Sequence, residues 1–550
     1  MKTLIRSALL SLAIAAPTAL PAENAGAYLA ARQAASENQF ETAAGHFKRA
    51  LDADPDNLEL LRASVYLGAV LGDLDNAAVD ARTVLASGDE VPHAAVVLLV
   101  QQAQNGAWQD ILDELDTGQH SSPAVDSLVR PWALVGLGRM EDALAAFRAA
   151  AAEQGLSVIA ARHEALALAL AGDMEGANAL LADPANSAME MRDLALARAQ
   201  ILAQLDRRDD ALTLLEQRFG PAEGDTAVSE LRGALLANEA VPFTAISGPA
   251  DGIAQALSLV AAAHLEQSNG SQALLHARLA EALSPGLTDA ILVSAESYLQ
   301  LDRPELAAAA FGAIQPGDPA LPQAQMGSAR AYDAAGDQDR AIAALRALTE
   351  TRPDAPEVWS LLADVLRRSD ALAQAEDAYS RALDLVPEET QSRWVLLYAR
   401  AIVRHDLDKW PEAEADFRAA LVLNPDSPNV LNYLGYSLVE RNEKLDEALG
   451  MIERAVERAP DNGAIVDSLA WALYRLGRVE EAVPHMERAA ELEPTDPVVS
   501  DHLGDVLWSV GRRDEARFQW QRALSFDPEP EQAEIIRRKL ESGLPQSTAP

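Results

Sequence analysis

Apolar residues recur at three- and four-residue spacing along the last quarter of the chain, in short segments that end at turn-forming residues. Within the segment from Gly463 to Gly477, Leu469 and Leu473 lie on one side of a helix. After a turn at the second glycine, another amphipathic segment continues through Met486 and stops at Pro494, which cannot extend a helix. The pattern predicts two paired helices.

This pair of helices is repeated. Ala482 is expected where the second helix crosses the first most closely, and Ala516 occupies the same position 34 residues later. Because one pair cannot bury both of its faces, several such pairs must stack. The small residue at the crossing recurs, mostly at the same interval, at Ala43, Ala77, Ala143, Ala177, Ala211, Ala273, Ala307, Ala341, Ala375, Ala413, Ala448, Ala482 and Ala516.

A 34-residue period with small residues and closing prolines at fixed offsets is typical of tetratricopeptide repeats, and the chain resembles this family over about 23–530. The resemblance implies an all-α fold, a right-handed superhelical solenoid of about 14–15 helix-turn-helix repeats with a C-terminal capping helix. It also implies a non-catalytic role in binding other proteins.

The repeat spacing divides the chain into two arrays. We expect a degenerate N-terminal array at 23–237, a linker at 238–252, where Val241-Pro242-Phe243 interrupts helical periodicity, and a C-terminal array at 253–530. A capping helix and a disordered tail are expected at 531–550. Four extra residues are expected in a loop near 404–410, and one near 441–444.

Residues 1–22 are typical of a secretory signal peptide. Lys2 and Arg6 precede a short apolar core at 8–16, and small residues lead to expected cleavage after Ala22. An uncleaved anchor is the alternative, although the apolar run is shorter than a membrane span. Since the chain has no cysteine, it cannot carry the lipid of a bacterial lipoprotein. We therefore expect a periplasmic protein with no further transmembrane segment.

The charge of the chain narrows the choice of partners. With 45 basic and 84 acidic residues, its formal net charge is −39, so its surface repels phosphate backbones and nucleic acid is not expected as a partner. No phosphate-binding glycine loop, His-Glu-x-x-His zinc motif or Gly-x-Ser-x-Gly elbow is present in the sequence. We expect neither enzymatic activity nor a cofactor or metal.

The resemblance implies a binding groove lined by the first helix of each unit. Side chains at its second, fifth, ninth, twelfth and thirteenth positions are expected to face a peptide or partner protein. We expect aromatic anchors and amides in this groove, with an acidic end. The predicted groove residues are Tyr398, Asn429, Asn432, Tyr436, Asp467, Trp471, Tyr474, Arg475, Asp501, Asp505 and Trp508.

Several groove residues have an alternative interpretation. The aromatic residues Trp471, Tyr474 and Trp508 could pack between repeats instead of facing a ligand. Asp501 and Asp505 lie one helical turn apart and could bind a cation, but without further ligands a solvated acidic face is expected. Because carboxylates repel an acidic peptide tail, we expect a ligand that is neutral or basic and partly apolar.

The segments 467–478 and 501–516 resemble bacterial envelope members of the family, including adaptors of carboxy-terminal processing proteases. This resemblance implies a scaffold for an envelope protease or an assembly machine, with the N-terminal half available for a second protein. Two alternatives remain: a periplasmic chaperone or assembly factor, and a non-catalytic component of polysaccharide export or cell-wall remodelling. The sequence leaves the oligomeric state open.

Overall fold

The computed structural model describes residues 22–88, 90–117, 121–183, 192–220 and 225–544, and these residues form thirty α-helices. Twenty-eight of the helices form fourteen consecutive helix-turn-helix pairs, while α13 and α30 stand outside the pairs. The predicted all-α solenoid of paired helices is confirmed. The predicted signal peptide, apart from Ala22, and the end of the tail at 545–550 lie outside the described residues.

The helices form two compact units, which divide between Leu348 and Thr349. We call them the N-terminal unit and the C-terminal unit, and the two members of each pair the first and second helix. The helices up to the division are α1 (Ala22–Ser36), α2 (Phe40–Ala53), α3 (Leu58–Leu71), α4 (Leu74–Ala86), α5 (Pro92–Gln104), α6 (Trp108–Asp116), α7 (Pro123–Gly136), α8 (Met140–Ala151), α9 (Ser157–Leu170), α10 (Met174–Ala182), α11 (Arg192–Gln204), α12 (Arg208–Phe219), α13 (Thr226–Leu236), α14 (Pro249–Glu266), α15 (Gly270–Leu283), α16 (Thr288–Gln300), α17 (Pro304–Phe311), α18 (Leu321–Ala334) and α19 (Gln338–Thr351).

The division falls within the last turn of α19. Beyond this helix, the C-terminal unit contains five further pairs and a last single helix. These are α20 (Pro356–Arg368), α21 (Leu372–Leu385), α22 (Arg393–Asp406), α23 (Trp410–Leu423), α24 (Pro428–Glu440), α25 (Leu445–Arg458), α26 (Gly463–Arg475), α27 (Val479–Leu492), α28 (Pro497–Ser509), α29 (Arg513–Leu524) and α30 (Pro530–Ser542). The last helix includes the predicted capping segment. Its position at the end of the final pair is confirmed by its packing on α29.

The small residues at the helix crossings are buried as predicted. All thirteen alanines of the series are at most 2% exposed. Glycine takes the facing position on some first helices, because a larger residue has no room there. A Cβ at Gly504 would lie 2.3 Å from Nε1 of Trp520 on the paired helix. Close approach of the two helices therefore depends on small side chains on both sides of the crossing.

The turn within each pair also follows the repeat. One residue at this turn has positive φ, a backbone conformation that glycine, asparagine and aspartate adopt most readily. Gly477 and Gly511 have φ of 77° and 84°, and Asp370 and Asp408 hold the equivalent position with φ of 60° and 58°. The turn therefore tolerates aspartate in the repeats that lack the glycine.

In the N-terminal unit, α14 and α15 cover the first helices of the preceding pairs. Helix α14 packs on α7 and α9, and α15 packs on α3 and α5. Arg278 on α15 donates to the carbonyl of Val70 at 3.0 Å, and Tyr66 donates to the carbonyl of Ser271 at 3.2 Å. This part of the first-helix face, expected to be open to a second protein, is occupied by the chain itself.

The predicted linker at 238–252 lies inside the N-terminal unit, between α13 and the second turn of α14. Its residues between the two helices contain no helix, and part of this segment is held against α11. Gln200 and Thr244 exchange two hydrogen bonds of 2.9 Å, and Val241 and Ile246 are buried. The segment therefore follows the surface of the array instead of separating two bodies.

The position of the four extra residues was predicted wrongly. The turn after α22 has the ordinary three residues, and the added length lies mainly before this helix, at 386–392. Arg393 caps that longer connection by donating to the carbonyls of Leu383 and Val386. The single extra residue at 441–444 is confirmed, because four residues join α24 to α25 where three are usual.

Candidate functional site

Two neighbouring first helices of the C-terminal unit, α24 and α26, expose a patch of aromatic and amide side chains. Along α24, side chains spaced by three and four residues lie on one face of the helix. The facing turn of α26 contributes two stacked rings and a guanidinium. We call this surface the open patch; it consists of Asn429, Asn432, Tyr436, Glu440, Trp471, Tyr474 and Arg475.

The rings of the open patch are held in fixed positions. The ring of Trp471 stacks on His502 at a centroid distance of 3.9 Å and on Tyr474 at 5.0 Å. Its Nε1 donates to Oε1 of Glu440 at 2.6 Å, and Nη1 of Arg475 donates to the same oxygen at 3.1 Å. Two stacked rings and the hydrogen bond to Glu440 therefore hold the Trp471 ring, while the side chain stays partly exposed.

Asn432 has unused hydrogen-bonding capacity. Its Oδ1 is buried and has no hydrogen-bond partner among the described residues. One turn before it, Asn429 is exposed, and one turn after it, Tyr436 is half-buried. Burial raises the pKa of Tyr436, with Glu440 and Asp467 adding to the rise, so its hydroxyl stays a hydrogen-bond donor at neutral pH.

Trp508, by contrast, is engaged by the end of the chain. Its ring lies 5.3 Å from the ring of the buried Trp520. A Cβ at Gly543 would come within 2.1 Å of its ring. Arg513 and Arg517 lie near the same ring at 5.2 and 5.7 Å. The structure therefore places this predicted groove residue in packing beneath the residues that follow α30.

The carboxylates at the acidic end of the predicted groove are paired with a cation of the same chain. The prediction that they form a solvated acidic face is wrong. Asp501 and Asp505 are each 5% exposed. Nζ of Lys539, on α30, lies 2.8 Å from an oxygen of each carboxylate. Burial lowers the pKa of Lys539, but Asp505 and Asp501 outweigh this effect and raise the pKa above its usual range. The cation between the two aspartates is a lysine of the same chain.

Asp467 is likewise buried and paired. Nδ1 of His502 lies 3.0 Å from both of its carboxylate oxygens. Burial lowers the pKa of His502, but the charge and hydrogen bond of Asp467 outweigh it, so the pKa lies above the ordinary value of 6.5. The imidazolium form is thus favoured directly behind the Trp471 ring.

Tyr398 belongs to an aromatic cluster between α22 and α24. Its ring lies 6.0 Å from Phe417 and 6.2 Å from Tyr433. His405 extends the cluster by a 3.1 Å contact to the Tyr433 hydroxyl. Burial raises the pKa of Tyr398. Its side chain fills space between repeats and lies in this cluster instead of the open patch.

The family pattern marks Glu440, the thirteenth residue of its unit, as facing the groove, but it does not indicate that this carboxylate holds Trp471 and Arg475. Sequence reasoning missed Lys539 as the partner of the acidic pair. Lys539 lies 38 residues from Asp501, in a helix outside the repeat. A lone lysine in an otherwise ordinary capping helix gives no signal that could be read from spacing.

The described residues hold no group of three or more histidine, aspartate or glutamate side chains that could bind a metal ion. Within the same ranges, no helix combines the length and apolar character needed to cross a bilayer.

Comparison with protein families matches two segments of the chain, 326–390 and 387–526, each to a tetratricopeptide repeat model. Together with the paired helices, these matches show tetratricopeptide repeats over residues 326–526. Proteins with such repeats bind other proteins or peptides and are generally non-catalytic.

Among proteins of known sequence, the chain is similar to the TPR repeat-containing protein PA4667 of Pseudomonas aeruginosa, with 31% identity over 170 residues. The match covers 31% of this chain and 28% of the relative, so most of each protein lies outside it.

Solved structures with a similar fold include a tetratricopeptide repeat protein from Parabacteroides merdae, with 15% identity, 46% of this chain, 97% of that chain and a TM-score of 0.38. Another is the Cut9–Hcn1 assembly of the APC/C, with 15% identity, 88% of this chain, 97% of that chain and a TM-score of 0.38. A third is YrrB, described as having an unusual peptide-binding site, with 20% identity, 35% of this chain, 97% of that chain and a TM-score of 0.29.

Proposed function

We propose that this protein is a non-catalytic interaction scaffold that binds an extended segment of a partner protein across α24 and α26. The observation that carries the proposal is the open patch, where Trp471 is held by Glu440, Tyr474 and His502 while remaining partly exposed. A ring fixed before binding loses little conformational freedom when a ligand packs on it. Asn432 adds a buried carbonyl oxygen that has no partner among the described residues.

The charge of the open patch favours a neutral, partly apolar segment. The expected preference for neutral or basic ligands depended on three carboxylates. These carboxylates are paired with His502 and Lys539. In the patch itself, Glu440 is balanced by Arg475 at 3.1 Å. The aromatic rings and amides therefore dominate recognition, and neither an acidic nor a basic tail gains a charge partner.

We infer a location in the bacterial envelope from Lys2, Arg6 and the apolar core at 8–16. Fusion of residues 1–30 to a phosphatase that is active only outside the cytoplasm tests this location. An inactive fusion would contradict it.

The finer proposal, supported by the resemblance of 467–478 and 501–516 to envelope adaptors, is that the partner is a carboxy-terminal processing protease or its substrate.

The binding proposal is tested with an array of extended peptides probed by the full chain. We expect Tyr436→Ala combined with Trp471→Ala to weaken binding of neutral apolar peptides at least about tenfold, because truncated aromatic hot spots cost roughly 2 kcal/mol or more each. Phe518→Ala is the matched control, because Phe518 is 62% exposed on α29 and lies outside the patch.

The proposal fails if the double variant binds like the wild-type protein or if the control loses binding equally. Weak binding of many unfolded chains would instead favour a chaperone, and competition by oligosaccharides would favour a role in polysaccharide export or wall remodelling. Thermal unfolding of each variant separates lost binding from lost folding.

A further inference from the structure

A titratable group lies directly against the tryptophan of the open patch. His502, on α28, is only 9% exposed. Its ring and the ring of Trp471 are 3.9 Å apart between centroids, and their planes are inclined by only 14°. A change in the charge of this imidazole therefore acts on the side chain that the partner segment is proposed to contact.

The imidazole is held in this position by an ion pair. Asp467 lies one turn before Trp471 on α26, and Nδ1 of His502 lies 3.0 Å from both carboxylate oxygens of Asp467. The side chains of His502 and Asp467 are only 11% and 8% exposed, so salt and water screen their attraction little. One buried pair thus connects the proton of His502 to the helix that carries Trp471.

The charges nearest to His502 favour its protonated form. Burial lowers its pKa, but the carboxylates of Asp467, Asp501 and Asp505 outweigh burial and raise the pKa above the ordinary value of 6.5. Lys539, on α30, balances part of this charge, because its Nζ lies 2.8 Å from an oxygen of Asp501 and of Asp505. With the proton, two cations face three carboxylates; without it, Lys539 alone faces them.

The other two helices that pack on α28 bring no buried charge to it. None of the titratable residues of α27 and α29, both of which the structure describes in full, is buried. Arg513 and Arg517 of α29 lie near the ring of Trp508, nearly two turns further along α28. The charge of His502 is therefore governed by α26, by its own helix and by α30.

Protonation changes how firmly Trp471 is held. An imidazolium stacked on an indole gains a cation–π attraction, which is strongest where water is excluded. Loss of the proton removes this attraction and leaves Asp467 with a neutral partner. The ring of Trp471 is then held by neutral stacking and by its hydrogen bond to Glu440.

We propose that His502 is a proton switch for the open patch: protonation fixes Trp471 for ligand binding, and loss of the proton releases it. The inference rests on the proposed function, since it concerns the regulation of the same patch. A neutral, apolar segment should therefore bind more tightly at low pH than at high pH. Because binding and protonation are linked, the bound segment in turn raises the affinity of His502 for its proton by the same factor.

The test is titration calorimetry of the full chain with a peptide that has no titratable group. The probe is the neutral peptide that binds most tightly in the peptide array, capped at both ends, so that any pH dependence comes from the protein. We expect its affinity to fall about fivefold or more between about pH 6 and pH 9. Near the middle of this range, binding should take up protons, which is measured as a dependence of the binding enthalpy on the buffer.

Three variants assign the effect to this histidine. His502→Gln keeps a hydrogen-bond donor for Asp467 but cannot titrate, so the affinity of this variant should not change with pH. Asp467→Asn removes the charge that does most to raise the pKa of His502, so the fall in affinity should move to lower pH. His485→Gln, on α27 outside the patch, is the matched control and should keep the wild-type profile.

A second readout needs no ligand. The indole N–H resonance of Trp471, identified by its absence in Trp471→Phe, should titrate in the free protein over the same pH range as the affinity. In His502→Gln this resonance should not move. Thermal unfolding at each pH shows which variants are folded, and if His502→Gln is not, the shifted profile of Asp467→Asn decides the result.

The outcomes separate this inference from the function on which it rests. Equal affinity of the peptide at both ends of the pH range, or an unchanged pH profile in His502→Gln, would overturn the switch and leave the binding proposal intact. Absence of peptide binding at any pH would overturn the binding proposal, and the switch with it.

Discussion

At the scale of single residues, the distance between paired helices is set by side chains too small to keep them apart. Gly504 faces Trp520, and a Cβ there would also lie 2.4 Å from the ring carbon Cδ1. Gly450, in the middle of α25, has nothing within 4 Å of the position a Cβ would take. Glycine is therefore required at position 504, whereas at position 450 it only lowers the helix propensity.

These two glycines give a matched prediction. Gly504→Ala should lower the free energy of unfolding of the C-terminal unit by about 1–3 kcal/mol, because Trp520 must move from a packed position. Gly450→Ala should raise it by about 0.5–1 kcal/mol, because alanine restricts the unfolded chain and favours the helix. Denaturant unfolding measures both. Destabilisation of equal size would show that propensity, not the crossing, explains the glycine at 504.

His502 gives a prediction about pH. Its pKa in the folded protein lies above the ordinary value of 6.5, chiefly because Asp467 outweighs the effect of burial. The protonated ring therefore stabilises the fold fully below about pH 6.5, and this contribution is lost as the pH rises through the raised pKa. The free energy of unfolding should fall between about pH 6 and pH 9 more in the wild-type protein than in His502→Gln.

Denaturant titrations at the two pH values measure the difference in slope. The other histidines are common to both proteins and cancel in the comparison. Parallel pH dependence in the two proteins would mean that Asp467 does not favour the protonated ring.

At the scale of elements, α30 does more than shield the last repeat from solvent. It supplies Lys539, which lies 2.8 Å from Asp501 and from Asp505 in a site where all three side chains are at most 13% exposed. Arg517 on α29 also donates to the carbonyl of Leu540 at 2.7 Å. The helix is therefore attached to α28 by buried charge and to α29 by its backbone.

Lys539→Met should destabilise the C-terminal unit by about 3–5 kcal/mol, because it leaves two buried carboxylates without their cation. Arg458→Met is the control: it removes the same charge from an ion pair with Asp426 in which both side chains are more than half exposed, and it should cost no more than about 1 kcal/mol. Urea unfolding of the two variants provides the comparison. Equal costs would argue that burial adds nothing to the Lys539 pairing.

The repeat could be predicted from sequence because its cause is local and periodic. Ala482 and Ala516 are marked by an interval and by the proline that follows, and both are fully buried. The ion pair of Asp501 depends instead on where the capping helix packs, and the repeat period carries no information about that position. The same limit explains why Trp508 was predicted in the groove: its position in the repeat is right, but residues outside the repeat cover it.

At the scale of the molecule, the N-terminal unit is held together by contacts between parts of the chain far apart in sequence. Helix α9 is buried over ten consecutive residues, from Ala160 to Ala169, which requires neighbours on every side. Helix α14 provides one of these neighbours, and a Cβ at Gly252 on that helix would lie 2.2 Å from the ring of Trp132 on α7. The arrays divided by sequence at 238–252 thus share one core within this unit.

This shared core predicts how the chain responds to a cut. Residues 236–240 are exposed, so a protease site can be inserted after Asn238 without disturbing the buried Val241. After cleavage, the two fragments should remain together in size-exclusion chromatography, because α14 and α15 stay packed on α3, α5 and α7. Denaturant should then separate them, and the uncut insertion variant controls for the insertion itself. Separation of the fragments in native buffer would mean that α14 and α15 are weakly bound to the preceding array, and that this part of the first-helix face is available to a partner after all.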